Sequence, residues 1–303
     1  PHPADVMALM RFARLVRQLR PDVLHGHGAK AGAFVRLTRA CPDALRVYTP
    51  HGGSLHYSPD TLKGKFYARL EGALMNRTDL FLFESGFARD TYERFIGKPK
   101  CTVRCVFNGV SAVEFDPVVT NADATDFVYV GEFRHIKGAD LLIDALARLH
   151  REGRKLSLTL CGDGEEMPKL QAQVQSLGLQ NVIRFAGFNP ARKGFAMGQV
   201  LVVPSRGDSM PYVVIEAAAA GIPMLASRVG GIPEIFGEYP TNLFSANDPA
   251  AMAQAMAHAH DDRQAMREQA RLLKERVLMH FSQRAMVEGV VSAYGEARDL
   301  AAT

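Results

Sequence analysis

The sequence predicts an α/β protein made of two doubly wound, parallel-sheet domains. Three observations carry this reading. Short apolar runs alternate with amphipathic stretches of helical period along the chain, and many of the runs end in a glycine turn. Strands that alternate with helices in this way pair in parallel and are covered on both faces. The alternation is broken once, between residues 108 and 125, by the Asn108-Gly109 turn and a polar stretch at 120–125. The 303 residues suit two domains of this kind.

The elements follow in order. From Met7 to Leu19, apolar Met7, Met10, Phe12, Leu15, Val16 and Leu19 alternate with Arg11, Arg14, Arg17 and Arg20, an amphipathic helix stopped by Pro21. Asp22-Val-Leu-His-Gly is a strand into a glycine turn, and Ala29 to Ala40 is the next helix. Arg46-Val-Tyr-Thr-Pro-His-Gly-Gly repeats the strand-to-glycine pattern. Leu62 to Asn76 and Gly86 to Phe95 are helical, flanking a strand at Leu80–Phe83, and Val103–Phe107 is a strand ending in the Asn108-Gly109 turn. In the second half, strands are expected at Phe127–Gly131, Leu156–Cys161, Val182–Phe185, Val200–Pro204 and Pro223–Ser227. Helices are expected at Gly138–Arg151, Pro168–Leu177, Pro211–Ala220, Pro249–His260, Arg263–Val277 and Ser282–Leu300. The domains are therefore expected at 1–112 and 113–281, with the C-terminal helix, 282–303, packing back on the first.

Composition narrows the function. Apolar residues make up 47% of the chain, yet no run reaches the roughly 18 needed to span a bilayer. Four cysteines, Cys41, Cys101, Cys105 and Cys161, show no CxxC spacing and read as those of a reduced, cytoplasmic protein. The net charge of +4 is uneven. Residues 1–110 hold 17 Lys/Arg against 9 Asp/Glu, and the remainder holds 19 against 23. The basic third is either an ordinary solvated surface or a face for anionic lipid or a phosphate-bearing acceptor at the inner face of the cytoplasmic membrane. Nucleic acid is not expected as a partner, because aromatics do not alternate with the basic residues as a stacking platform requires.

The densest motif runs from Pro204 to Phe236. It holds two acids separated by seven intervening residues, Asp208 and Glu216, with Pro211 at the expected first position of a helix, and a Gly230-Gly231 turn after the next strand. A helix N-terminus there would aim the N–H groups of Tyr212 and Val213 at a diphosphate. Glu216, among Val213, Val214, Ile215 and Ala217–Ala220, needs a polar partner, and sugar hydroxyls suit a carboxylate. Gly131-Glu132-Phe133-Arg134-His135-Ile136-Lys137-Gly138 joins a strand to a helix where α/β sheets hold phosphates, with Lys137 as the cation; it is not a Walker A loop. Cys161-Gly-Asp-Gly164 is a further strand-to-glycine turn. His51, in Thr-Pro-His-Gly-Gly, resembles an esterase oxyanion loop, but no G-x-S-x-G elbow accompanies it. His25, His27, His51 and His56 lack the ligand spacing of a metal site, and no metal is assigned. Arg206-Gly-Asp208 spells an adhesion tripeptide by coincidence, and Met252, Met256 and Met266 read as core.

Taken together, these residues resemble the retaining glycosyltransferases of family four, with the GT-B fold of two Rossmann-like domains. The family's acid-x7-acid pair corresponds to Asp208 and Glu216. Its surrounding frame is present as Pro204-Ser205, Glu216-Ala217, Gly221, Pro223, Ser227, Gly230-Gly231 and Glu234, its lysine as Lys137, its linker as Asn108-Gly109-Val110, Phe115 and Pro117, and its active-site histidine as His51. The wording TPHGGSLHY and VGEFRHIKG is similar to that of bacterial surface-polysaccharide transferases.

The resemblance implies transfer of a sugar from a UDP- or GDP-sugar donor to a saccharide or lipid-linked acceptor, with no cofactor and no metal. Asp208 and His51 would contact the donor sugar or reacting centre, and Lys137 the leaving diphosphate. Glu216 would hold the ribose, with Gly131, Arg134, Gly164, Tyr212 and Val213 completing the donor site. Three departures stand out. Asp208 replaces a glutamate. Glu132 stands where the family has an arginine, leaving Arg134 as a substitute. The chain opens on a helix, so at least one βαβ unit from the middle of the first sheet is expected to be missing. A non-catalytic nucleotide-sugar-binding remnant and a GT-B epimerase are the rival readings.

Overall fold

The computed structural model describes residues 3–51 and 61–302. Contacts divide the chain into two units, residues 1–107 with 286–303, and residues 108–285.

The first unit contains α1 (Pro3–Leu19), β1 (Val23–His27), α2 (Gly28–Leu37), β2 (Leu45–Thr49), α3 (Leu62–Met75), β3 (Leu80–Phe83), α4 (Gly86–Phe95) and β4 (Thr102–Cys105). The four strands form one parallel sheet in the order β1-β2-β3-β4. The expected C-terminal helix, here Gln283–Ala302, lays Ala293 and Ala297 against Leu45, Val47, Leu80 and Leu82, on one face of this sheet. On the other face, Tyr48, Phe81 and Phe83 pack with Tyr92 and Ala88 of α4. Both faces are buried, which is why β3 reads as the unbroken apolar run Leu-Phe-Leu-Phe.

The second unit opens with the 3-10 turn Ala112–Phe115. Its elements are β5 (Thr125–Val130), α5 (Ala139–Arg151), β6 (Leu158–Cys161), α6 (Met167–Ser176), β7 (Ile183–Gly187), α7 (Ala191–Phe195), β8 (Gly198–Val203), α8 (Tyr212–Ala220), β9 (Met224–Ser227), α9 (Ile232–Phe236), β10 (Leu243–Phe244), α10 (Pro249–Asp261) and α11 (Arg263–His280). The sheet is parallel, in the order β10-β9-β8-β5-β6-β7. Chain order runs outward in both directions from β5 and β8, so these two strands flank the topological switch point, where open α/β sheets form their ligand crevice.

The periodic positions of α5 bury as expected, with Leu142, Ala145, Leu146 and Leu149 at most 1% exposed. Met252, Met256 and Met266 join the same core. Helix α8 is buried along Val214, Ile215 and Ala217–Ala220, and its small side chains admit α11 close against it. Three short elements, α7, α9 and β10, were not anticipated from the sequence. Each is five residues or fewer, too short to show a period. What reads as a flexible turn after Gly230-Gly231 passes directly into α9.

Candidate functional site

The site in the second unit is assembled from three loops at the C-terminal ends of β5, β6 and β8. Val130-Gly131-Glu132 leaves β5, Gly162-Asp163 leaves β6, and Ser205 to Met210 connects β8 to α8. Together with the segment after β7 they line a cavity of about 590 Å³.

The loops are tied to one another by Arg206. Its backbone N–H donates to Ile136 O at 2.8 Å, and its guanidinium donates to both oxygens of Asp140 at 2.8 and 2.6 Å and to His135 O at 2.6 Å. Burial alone would push the Asp140 carboxyl up, but hydrogen bonds and charge from Arg206 hold it below its ordinary value. This clamp holds the turn bearing Lys137 against the loop bearing Asp208, and it gives the Arg206-Gly-Asp208 tripeptide a structural use. Gly138, at φ +73°, lies so close to the β8 end that a Cβ would stand 2.1 Å from Pro204 O. Gly230, at φ +56°, leaves only 1.4 Å between such an atom and Asp208 O. Both positions require glycine, and both set the position of the acidic loop. Gly231 N–H donates to Asp208 O at 3.3 Å, and Ser227 Oγ donates to Ser205 O at 2.6 Å beneath it.

Of the site residues read from the sequence, Gly131, Lys137, Asp208, Tyr212, Val213 and Glu216 line this one cavity. Lys137 Nζ donates to Asp208 Oδ2 at 2.6 Å, so the two proposed ligands of different donor groups are paired with each other. Pro211 is extended (φ −73°, ψ 124°) and caps the helix rather than starting it; Tyr212 is the first helical residue, and Pro211 supplies no side-chain cap bond. That leaves the positive end of the α8 dipole facing the cavity. Glu216 is half-buried, and burial, then the nearby charge of Glu114, push its carboxyl above the ordinary value. Glu114 is held by Arg192, which donates to the Glu114 and Asp116 carbonyls at 3.0 and 2.9 Å.

Two donor-site candidates lie outside the lining. Arg134 is exposed and 3.7 Å from Glu132, which does line the cavity. Gly164 packs its backbone on Phe133. Sequence reading missed Phe188, Asn189 and Pro190, which close the far end, with Phe188 81% exposed. The Gly187-Phe188-Asn189-Pro190 turn directly after an apolar run was the available signal.

His51 belongs to the first unit. It lies in the turn two residues beyond β2, in a left-handed conformation (φ +46°). Its Nε2 is 2.8 Å from His27 Nδ1, and its Nδ1 is 3.9 Å from Glu84. His25 lies against His27, with ring centroids 4.0 Å apart and planes tilted by 32°, and hydrogen-bonds Tyr294 and Thr49; burial, with His27 and His51 adding, lowers its pKa to about 4. The three histidines thus bond mainly with one another and with hydroxyls, and His56 lies outside the described residues. Among the described residues no group of three or more His, Cys, Asp or Glu side chains is placed to hold a metal.

Two parallel α/β units, the second with a crevice at its switch point, make up the GT-B architecture. The profile of the family described as glycosyl transferases group 1 matches residues 112–275, and that of a glycosyl transferase 4-like domain matches residues 1–109. The chain belongs to the glycosyl transferases group 1 family. Glycogen synthase of Mycobacterium tuberculosis is 25% identical over 96% of this chain and 73% of its own length. D-inositol 3-phosphate glycosyltransferase of Streptomyces avermitilis is 35% identical over 46% of this chain and 33% of its own. Among solved structures, sucrose-phosphate synthase from Thermosynechococcus elongatus superposes with a TM-score of 0.84 at 23% identity, covering 97% of this chain and 78% of that one. Anabaena HepE, solved in complex with UDP, gives 0.79 at 20% identity over 97% and 82%.

Proposed function

We propose that the chain transfers a sugar, with retention of anomeric configuration, from a UDP- or GDP-sugar to a saccharide or lipid-linked acceptor, in surface polysaccharide synthesis at the cytoplasmic face of the membrane. One observation carries the donor half: a lysine, two acids and a helix N-terminus converge on a single cavity at the switch point. Lys137 and the α8 N-terminus receive the diphosphate and take up the charge that grows on it as the glycosidic bond breaks. These donors make a metal unnecessary for that charge. Glu216 accepts from the ribose hydroxyls, Phe188 offers the base a stacking face, and Asp208 turns to the sugar once phosphate replaces it on Lys137. For His51, contact with the donor sugar rests on the family resemblance. The UDP complexes of HepE and its superposition on this fold support the donor class.

The test is transfer or donor hydrolysis with UDP- and GDP-sugars. The reading expects Glu216→Ala to raise KM for the donor by roughly tenfold or more, as loss of charge-assisted hydrogen bonds implies; a donor KM and turnover both at the wild-type level in that variant sink it. Glu132, an acid lining the cavity, favours the second reading, a protein that binds nucleotide without turning it over. Calorimetric binding of UDP with no transfer from any donor would establish that alternative.

A further inference from the structure

Helix α3 carries an unusual surface. With about 100° of rotation per residue, and Leu62 set at zero, Phe66 falls at about 40° and Leu70 at about 80°. Lys65 and Arg69 fall at about 300° and 340°, so apolar and basic residues share one side. The structure agrees: Leu62 is 88% exposed, Phe66 55% and Leu70 40%, and Lys65 and Arg69 are also exposed. The opposite side, at about 180°, is fixed in place by Glu71. This residue is buried, accepting from Arg36 Nη1 at 2.8 Å and from Tyr48 Oη at 2.9 Å, while Arg36 stacks over the Tyr48 ring. Glu71 is also the only acid on the helix. Every exposed charge among the described side chains of α3 is therefore basic, beside three exposed large apolar residues that are held outward by the Arg36–Glu71–Tyr48 anchor.

We infer that this face of α3 docks on the surface of an anionic bilayer. Leu62, Phe66 and Leu70 enter the boundary between headgroups and acyl chains, and Lys65 and Arg69 pair with lipid phosphates. Charge selects the occupant: a helix face with apolar and basic residues and no exposed acid complements a negatively charged lipid surface. No described helix is long and apolar enough to cross a membrane, so the contact lies in the interface plane. The inference rests on the membrane-face part of the proposed function and names the surface responsible.

The experiment is vesicle flotation of the full chain with phosphatidylglycerol-containing and pure phosphatidylcholine vesicles. Wild type is compared with Phe66→Ser/Leu70→Ser and with Lys65→Glu/Arg69→Glu. Thermal unfolding and UDP titration confirm that each variant folds. The expected result is flotation of wild type on anionic vesicles only, partition lowered roughly 30-fold or more by the charge reversal, and unchanged UDP binding in both variants. Flotation of both variants equal to wild type would overturn the α3 assignment and leave the membrane reading standing. Failure of wild type to float would overturn both, while the UDP titration judges the donor reading separately. Equal flotation on neutral vesicles overturns the anionic selection. If the variants instead abolish self-association seen on size exclusion, the face is an interface between copies and the lipid proposal is wrong.

Discussion

Asp208 and Lys137 form a half-buried ion pair at 2.6 Å, with side chains 14% and 29% exposed. A donor diphosphate bound at Lys137, as proposed, would meet the Asp208 carboxylate at close range. For one phosphate charge at a separation of about 6 Å and an effective dielectric constant of about 40, the repulsion is roughly 1.4 kcal/mol. Asp208→Asn removes it at nearly constant volume. The variant should bind UDP about tenfold more tightly, because 1.4 kcal/mol is a factor of ten. Without ligand it should be less stable by about 1–2 kcal/mol, since Lys137 keeps its charge and loses its charged partner. Turnover should fall, because the group proposed to meet the sugar has lost its charge. Calorimetry with UDP, urea unfolding and a transfer assay read the three effects. UDP affinity that is unchanged or weaker in Asp208→Asn would refute the competition between this carboxylate and the diphosphate.

Two other outcomes follow from the same geometry. Gly230→Ala places a Cβ on the Asp208 carbonyl at a positive φ, so it should cost about 2–4 kcal/mol in urea unfolding and abolish UDP binding; an unchanged unfolding midpoint contradicts the contact. Glu216 has a raised pKa in the folded chain, and its ionised form accepts hydroxyl hydrogen bonds more strongly than the protonated acid does. UDP affinity should therefore be full at neutral pH and weaken as pH falls, beginning above the range in which an ordinary glutamate titrates. In Glu216→Gln the affinity should be lower and flat over that range; a wild-type profile that is itself flat rules out the ribose role.

The parts of the site that were legible in the sequence are those fixed by local spacing. Asp208 and Glu216 stand eight residues apart on one loop and helix, and Lys137 follows a strand-ending glycine. Such features follow from backbone geometry within one βα unit. What was not legible depends on distant contacts. The Lys137–Asp208 pair joins residues 71 apart in sequence, and the Arg206–Asp140 clamp joins residues 66 apart. The charge of Glu114 reaches Glu216 from before the first strand of the unit. Nor could the sequence show that Glu132 faces the cavity while Arg134 turns outward, since successive loop residues have no fixed period. The strand alternation announced two parallel sheets, but the position of the crevice came from the order β8-β5 at the sheet centre, which periodicity does not encode.

The central claim is that the cavity beside β5 and β8 holds a nucleotide diphosphate through Lys137 and the α8 N-terminus. Its most direct test is calorimetric titration of UDP and GDP into the wild-type chain and Lys137→Met, with a chelator present. The account predicts one-to-one binding of at least one nucleotide to wild type without added metal, weakened roughly tenfold or more in Lys137→Met, as expected when a charge-assisted contact is lost. Equal affinity in the two proteins, or no binding of either nucleotide to wild type, would contradict it.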